Sequence, residues 1–198
     1  LAHRCLVDSS RSSFPSRSRL PLWTVGVLLS CPLWAAFRVT WPLFVAACFV
    51  SAGGGLLLWR RDTLSMHHVL WGALVLRLAF FPLLPELTDD PFRYLWDGWL
   101  QVEGINPYKF VPSEPVLEGF QDSTLFEELN SPNYYSIYPP LTQVFFAGAG
   151  AVYDGDWRLA YFALKALFVA AEFGGVLLLS RLTSARNVLL YAWNPLVL

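Results

Sequence analysis

Trp41-Pro42-Leu43-Phe44-Val45-Ala46-Ala47-Cys48-Phe49-Val50-Ser51-Ala52-Gly53-Gly54-Gly55-Leu56-Leu57-Leu58-Trp59 is a run of 19 residues with no charge and a Trp at each end. A helix satisfies its own backbone hydrogen bonds where water is absent, and about 20 apolar residues carry it across a bilayer. Trp at both ends suits the two membrane interfaces. Residues 20–37 repeat the pattern, again without charge and with Trp23 and Trp34 near the ends. A signal peptide is the alternative for that segment, because Arg4, Arg11, Arg17 and Arg19 precede it. The second charge-free run immediately after it, and the lack of a small-residue cleavage site, favour a span. Two further candidates carry charge: residues 69–85 include Arg77, and residues 159–180 include Lys165 and Glu172. All four are expected to span.

Composition agrees with this reading. Of 198 residues, 55% are apolar and 15% charged, against roughly 45–50% and about 25% in soluble domains. That balance argues against a soluble globular enzyme. A net charge of −1 provides no basic field, so no nucleic-acid partner is expected. Nine Trp, eight Tyr and fifteen Phe have a natural place at a bilayer surface. Cys5, Cys31 and Cys48 are scattered and suggest neither a disulfide framework nor a metal cluster.

Direction follows from the basic residues. The four leader arginines, and Arg60 with Arg61 after the second run, outnumber Arg38 in the link between the first two spans. The excess belongs on the cytoplasmic side, so the third span runs outward to Pro85. Residues 86–138 then lie outside the cell. They hold ten acidic residues against Arg93 and Lys109, a net of −8. Residues 139–153 are apolar but too short to cross with confidence. Reading them as an interfacial or re-entrant helix lets residues 159–180 run inward and keeps Arg181 and Arg186 cytoplasmic.

The expected architecture is therefore all-α, a polytopic membrane helical bundle with a large extracytoplasmic loop carrying short juxtamembrane helices. Its parts are a basic cytoplasmic leader (1–19), three transmembrane helices (20–85), the acidic loop (86–138), the interfacial helix (139–153), a fourth span (159–180) and the start of a truncated transmembrane helix (187–198). The apolar run at the end, with Leu in place of Met at the start, reads as a fragment of a longer chain.

The acidic loop opens Thr88-Asp89-Asp90-Pro91-Phe92-Arg93-Tyr94-Leu95-Trp96-Asp97-Gly98. Asp90 before Pro91 predicts a helix start with the carboxylate as N-cap. Asp90, Tyr94 and Asp97 fall at i, i+4 and i+7 on one face, and Arg93 can pair with Asp97 at i, i+4. A plain juxtamembrane cap accounts for the two aspartates equally well. Gly104-Ile105-Asn106-Pro107-Tyr108 reads as a turn. Ser131 to Pro140, rich in Tyr and Pro, suits an interfacial anchor or a sugar or lipid surface.

Taken in order, Asp89-Asp90, Arg93-Tyr94, Trp96-Asp97-Gly98, Gly104 to Tyr108, Tyr138-Pro139-Pro140-Leu141-Thr142 and Tyr191-Ala192-Trp193-Asn194-Pro195-Leu196 resemble the N-terminal half of GT-C glycosyltransferases. The likeness is nearest to bacterial polyprenol-phosphate-mannose-dependent mannosyltransferases of the glycosyltransferase 87 type and covers about residues 66–198. It implies a plasma-membrane enzyme passing a hexose, mannose first, from a polyprenyl-phosphate donor to a glycan or glycolipid acceptor on the outer face by inverting displacement. It implies Asp90 as general base on the acceptor hydroxyl, with Asp89 second. Arg93 would offset phosphate charge, Tyr94 and Tyr138 would border the sugar and prenyl paths, and Asp97 and Asn106 would complete the substrate-binding set. A divalent cation suits clustered carboxylates, but some related enzymes work without one, so no cofactor is assigned and the cation stays open. The family pattern continues beyond Asn194-Pro195, so residues 1–198 alone are expected to be inactive.

Charges at mid-span are costly unless paired or facing a wet cavity, so Arg77 and Glu172 are expected to form a structural intramembrane pair. Contact of Arg77 with a lipid phosphate is the alternative. Lys165 can snorkel to the outer interface, and His67 and His68 read as interfacial. The rival functional class is a polytopic transporter or lipid flippase with Arg77 and Glu172 lining its path; a noncatalytic scaffold is a third.

Overall fold

A computed structural model describes residues 41–61, 64–85 and 88–194, and these form helices and turns with no strand. The leader 1–19 and the expected span 20–37 lie outside the described residues. α1 is Trp41–Arg61, the charge-free run extended through Trp59 to the two arginines. α2 is Met66–Phe80, only 15 residues, or about 22 Å at roughly 1.5 Å per residue. The helix ends short of the expected Pro85 because Pro82 has no N–H and its ring would clash with the carbonyl four residues back. Lys165 Nζ, 2.8 Å from both the Phe80 and the Leu83 carbonyl oxygens, donates to these freed acceptors. Lys165 thus ties down a helix end, where snorkelling alone was expected.

The acidic loop is itself folded. α3, Asp90–Val102, is followed by a 3-10 turn at Pro115–Leu117 and two one-turn helices, α4 (Glu118–Gln121) and α5 (Thr124–Glu127). Gly104, at φ +79, turns the chain back after α3, in a backbone region glycine enters without steric cost. α6 is Pro140–Gly150, 11 residues and about 16 Å, too short to cross a bilayer. α7 is Trp157–Leu182, and α8 is Ala185–Ala192. The described part of the last helix starts at Ala185 and leaves helical geometry at Trp193; residues 195–198 lie outside the described residues.

α7 is the one helix among the described residues long and apolar enough to cross a membrane, and only 11% of its apolar window is buried. It also joins two apolar clusters. Near its start, Ala160, Tyr161 and Leu164 pack with Phe92, Leu95, Trp96 and Leu100 of α3 and Phe146 of α6. Near its end, Val176 packs with Leu58 of α1, Val69, Ala73 and Leu76 of α2, and Val188, Leu189 and Ala192 of α8. The α3 residues recur at helical spacing, and each fully buried side chain contributes roughly 1.5–3 kcal/mol. The Trp193 indole N–H donates to the Val69 carbonyl at 2.8 Å, closing α8 onto α2.

Between the clusters, Arg77 forms an ion pair with Glu172 through Nε and donates from Nη1 to the Ala73 and Ala192 carbonyls at 2.9 and 3.1 Å. α2, α7 and α8 therefore meet at one guanidinium.

Glycine decides how closely α3 and α6 pack. A Cβ on Gly98 would overlap the Phe146 carbonyl, and one on Gly150 would overlap the Gly98 backbone. Gly98→Ala is expected to cost about 1–3 kcal/mol by overpacking, measured as a lower melting temperature in detergent. For the pair of buried Arg77 and part-buried Glu172, Arg77→Met and Glu172→Gln should each lower folded yield by leaving the partner charge uncompensated, Glu172→Gln the more because it strands the buried guanidinium. The double variant should lose clearly less than the sum, and strict additivity would rule out a direct pair.

Candidate functional site

Pro91 starts α3 without loss of a hydrogen bond, and the helix begins at Asp90 itself, with Asp89 in the N-cap position. Neither carboxylate caps: Asp89 makes no side-chain cap bond, and Asp90 instead donates its backbone N–H to Thr88 Oγ1 at 3.2 Å. The expected Asp90 N-cap is therefore absent. The helix start is satisfied by Thr88 and by the missing proline donor, which leaves the Asp90 carboxylate without a hydrogen bond from any described residue.

One turn on, Tyr94 stacks on Phe146 (4.6 Å, 8°) and meets Tyr138 edge to face (4.8 Å, 89°). Burial first, and then the negative charge of Asp90, raises the Tyr94 phenol above its ordinary value and pushes Tyr138 up to about 12. Both hydroxyls therefore stay protonated at neutral pH, able to donate beside a free carboxylate.

Asp97 lies on the same helix but points inward and is fully buried. Its Oδ1 accepts from Arg93 Nε at 2.9 Å, and its Oδ2 accepts from Ser136 Oγ and, at 3.0 Å, from Gln143 Nε2. Arg93 Nη1 donates to the Ser131 and Tyr134 carbonyls at 3.0 and 2.9 Å. Arg93 is 2% exposed, so it clamps the 131–134 segment and is not open to a ligand phosphate as the sequence suggested. Asp97 likewise supports the site and does not line it.

Asn106 is elsewhere. Its Oδ1 accepts the Tyr108 N–H at 2.9 Å, an Asx turn, at the rim of an open cavity of about 420 Å³ bounded also by Gln101, Tyr108, Pro140 and Gln143. Gln101 sits eleven residues along α3 from Asp90, about 16 Å at helical rise. The Tyr108 hydroxyl donates to the Tyr138 carbonyl, a side-chain-to-backbone link between this turn and the Tyr138 segment. The structure thus gathers Asp90, Tyr94 and Tyr138, places Arg93 and Asp97 in the interior, and separates Asn106. Arg77 and Glu172 belong to the helix junction described above.

Ser136, Gln143 and Gln101 escaped the sequence reading. Gln101 Nε2 donates to Gln143 Oε1 at 2.7 Å and to the Asp97 carbonyl at 3.0 Å, and Gln143 Nε2 donates to Ser136 Oγ at 2.9 Å. Gln143 left a signal: it is a long polar side chain in the otherwise apolar α6, where burial demands a partner. Ser65 Oγ and His68 Nδ1 are 2.7 Å apart and His67 packs edge-on against Trp71, a local arrangement remote from the site. Among the described residues no group of three or more His, Cys, Asp or Glu could hold a metal ion.

A phenol whose pKa rises on folding binds its proton more tightly when folded, so its contribution to stability is present below pH 10 and is lost as pH rises toward 12. Stability followed by circular dichroism should fall over that window, and Tyr138→Phe should reduce the fall. Nothing among protein families, curated proteins or solved structures matches this chain.

Proposed function

We propose that this protein is an integral membrane glycosyltransferase that moves a hexose, mannose first, from a polyprenyl-phosphate donor to an acceptor hydroxyl on the outer face of the plasma membrane. The observation that carries the reading is the unengaged Asp90 carboxylate at the start of a rigidly held helix, beside the protonated Tyr94 and Tyr138. Asp90 takes the acceptor proton as its oxygen bonds to the anomeric carbon; the carbon–oxygen bond to the phosphate breaks, and polyprenyl phosphate leaves on the opposite face. The two tyrosine hydroxyls orient the sugar. Arg93 and Asp97 position α3, and Asp89, exposed beside Asp90, is the secondary carboxylate.

The apolar exterior supports a polytopic bundle. Phe49, Leu57, Trp71, Leu78, Leu178 and Leu182, on α1, α2 and α7, all expose large apolar surface, which suits acyl chains. In this reading the N-terminus is cytoplasmic, α1, α2 and α7 cross, and α6 lies at the outer interface.

One observation favours a transporter or flippase: Arg77 Nη2 and Glu172 Oε1 are buried without partners, as expected of groups that handle a passing polar substrate. Asp90→Asn in the full-length protein separates the two readings. Transfer from radiolabelled polyprenyl-phosphate mannose in membranes is expected to fall about 10²–10⁴-fold, the worth of a general base, with folded yield unchanged. Undiminished transfer, or its absence in the wild type together with lipid or solute movement that depends on Arg77, would sink the glycosyltransferase assignment.

A further inference from the structure

A second cavity, of about 530 Å³, lies on the far part of α3 from Asp90, lined by Trp99, Asp122, Ser123, Thr124, Tyr153 and Asp154. Trp99 is nine residues along the helix from Asp90, about 14 Å, so the two places are distinct. The volume falls within the roughly 300–1,000 Å³ of small-molecule sites.

Its walls are held from several elements. Trp99 is fixed by Phe120 (4.9 Å, 71°) and Tyr153 (4.9 Å, 57°). Thr124 Oγ1 donates to the Gly155 carbonyl at 3.0 Å, which ties the start of α5 to the α6–α7 turn. That turn passes through Gly155 at φ +105, a conformation that favours glycine. The cavity is therefore set by packing before any ligand arrives.

Its open valences define the ligand. Among the described residues no acceptor takes the Trp99 indole N–H and no donor meets the Asp122 carboxylate, while Asp154 gives Oδ1 to the Asp156 N–H at 3.2 Å and keeps Oδ2. An indole donor and carboxylate acceptors thus surround aromatic surface, with no Lys or Arg lining the space. An anion would meet two carboxylates. An ammonium ion would leave the indole donor unused. A neutral polyhydroxylated ring uses every group: its C–H face covers the aromatic surface, its hydroxyls donate to the carboxylates, and one hydroxyl oxygen accepts from the indole.

We propose that this cavity is a carbohydrate-binding subsite for one neutral hexose unit, separate from the Asp90 site. Its assignment to a distal unit of the acceptor glycan rests on the glycosyltransferase reading; its affinity for sugar does not.

The test is calorimetric titration of the full-length protein in detergent with α-mannobiose, and with tetramethylammonium chloride as the cationic probe. Saturable binding of the disaccharide is expected. Asp122→Ala, an exposed residue whose loss leaves the core intact, and Trp99→Phe, which keeps a ring and removes the N–H, should each weaken it about tenfold. Asp90→Asn should leave it unchanged. Absence of saturable binding by folded protein, affinity unchanged from the wild type in the cavity variants, or displacement of the disaccharide by tetramethylammonium would overturn the subsite. Sugar binding through Asp122 alongside transfer unaffected by Asp90→Asn would overturn the base instead, so the two failures are distinguishable.

Discussion

The buried pair of Arg93 and Asp97 is the constraint on which the part of the molecule built from α3, α6 and the segment between them depends. Taking two charges out of water costs several kcal/mol per ion unless hydrogen bonds compensate, and Asp97 takes three donors from three segments, Arg93, Ser136 and Gln143, while Arg93 Nη2 stays buried with no partner among the described residues. Satisfying one carboxylate thereby fixes α3, the Tyr- and Pro-rich stretch and α6 relative to one another. Arg93 extends the hold through two backbone carbonyls of the 131–134 segment. The backbone contact at Gly98 and Gly150 then lets the two helices approach closely enough for Gln101 and Gln143 to bond.

A different solution serves the apolar part. There Arg77 and Lys165 spend their donors on helix carbonyls as well as on Glu172. Both cations bind elements end to end: Lys165 closes α2 where Pro82 breaks it, and Arg77 gathers α2, α7 and α8. Since α7 carries Lys165 and Arg77's partner Glu172, it links the position of the apolar bundle to the base of α3. Asp90 stands at the start of α3, its carboxylate without a hydrogen bond from any described residue. In the glycosyltransferase we propose, that division of labour leaves the Asp90 carboxylate able to reach a substrate hydroxyl.

Much of this was legible in the residues. The charge-free run from Trp41 to Trp59 became α1, Arg93 and Asp97 paired at the spacing that allows it, and Arg77 met Glu172 across ninety-five positions because each would otherwise be an isolated charge among apolar side chains. Other features were hidden because they depend on distant partners. Spacing put Asp90 and Asp97 on one helix face, yet only packing against α6 and the 131–138 segment decides that one is buried and the other open. Arg93 and Asn106 looked equally suited to substrate. Nothing in their local sequence records that carbonyls from residues 131 and 134 consume the first, or that an Asx turn at the other end of α3 holds the second.

The sequence by itself therefore determined the helical class, the apolar segments and the identities of the charged partners, since these follow from hydropathy, helical periodicity and the cost of an unpaired charge. Tertiary structure alone decided which carboxylate is buried and bonded, and that Trp99, Tyr153 and Asp122 line one open cavity, because those outcomes depend on contacts between residues far apart along the chain.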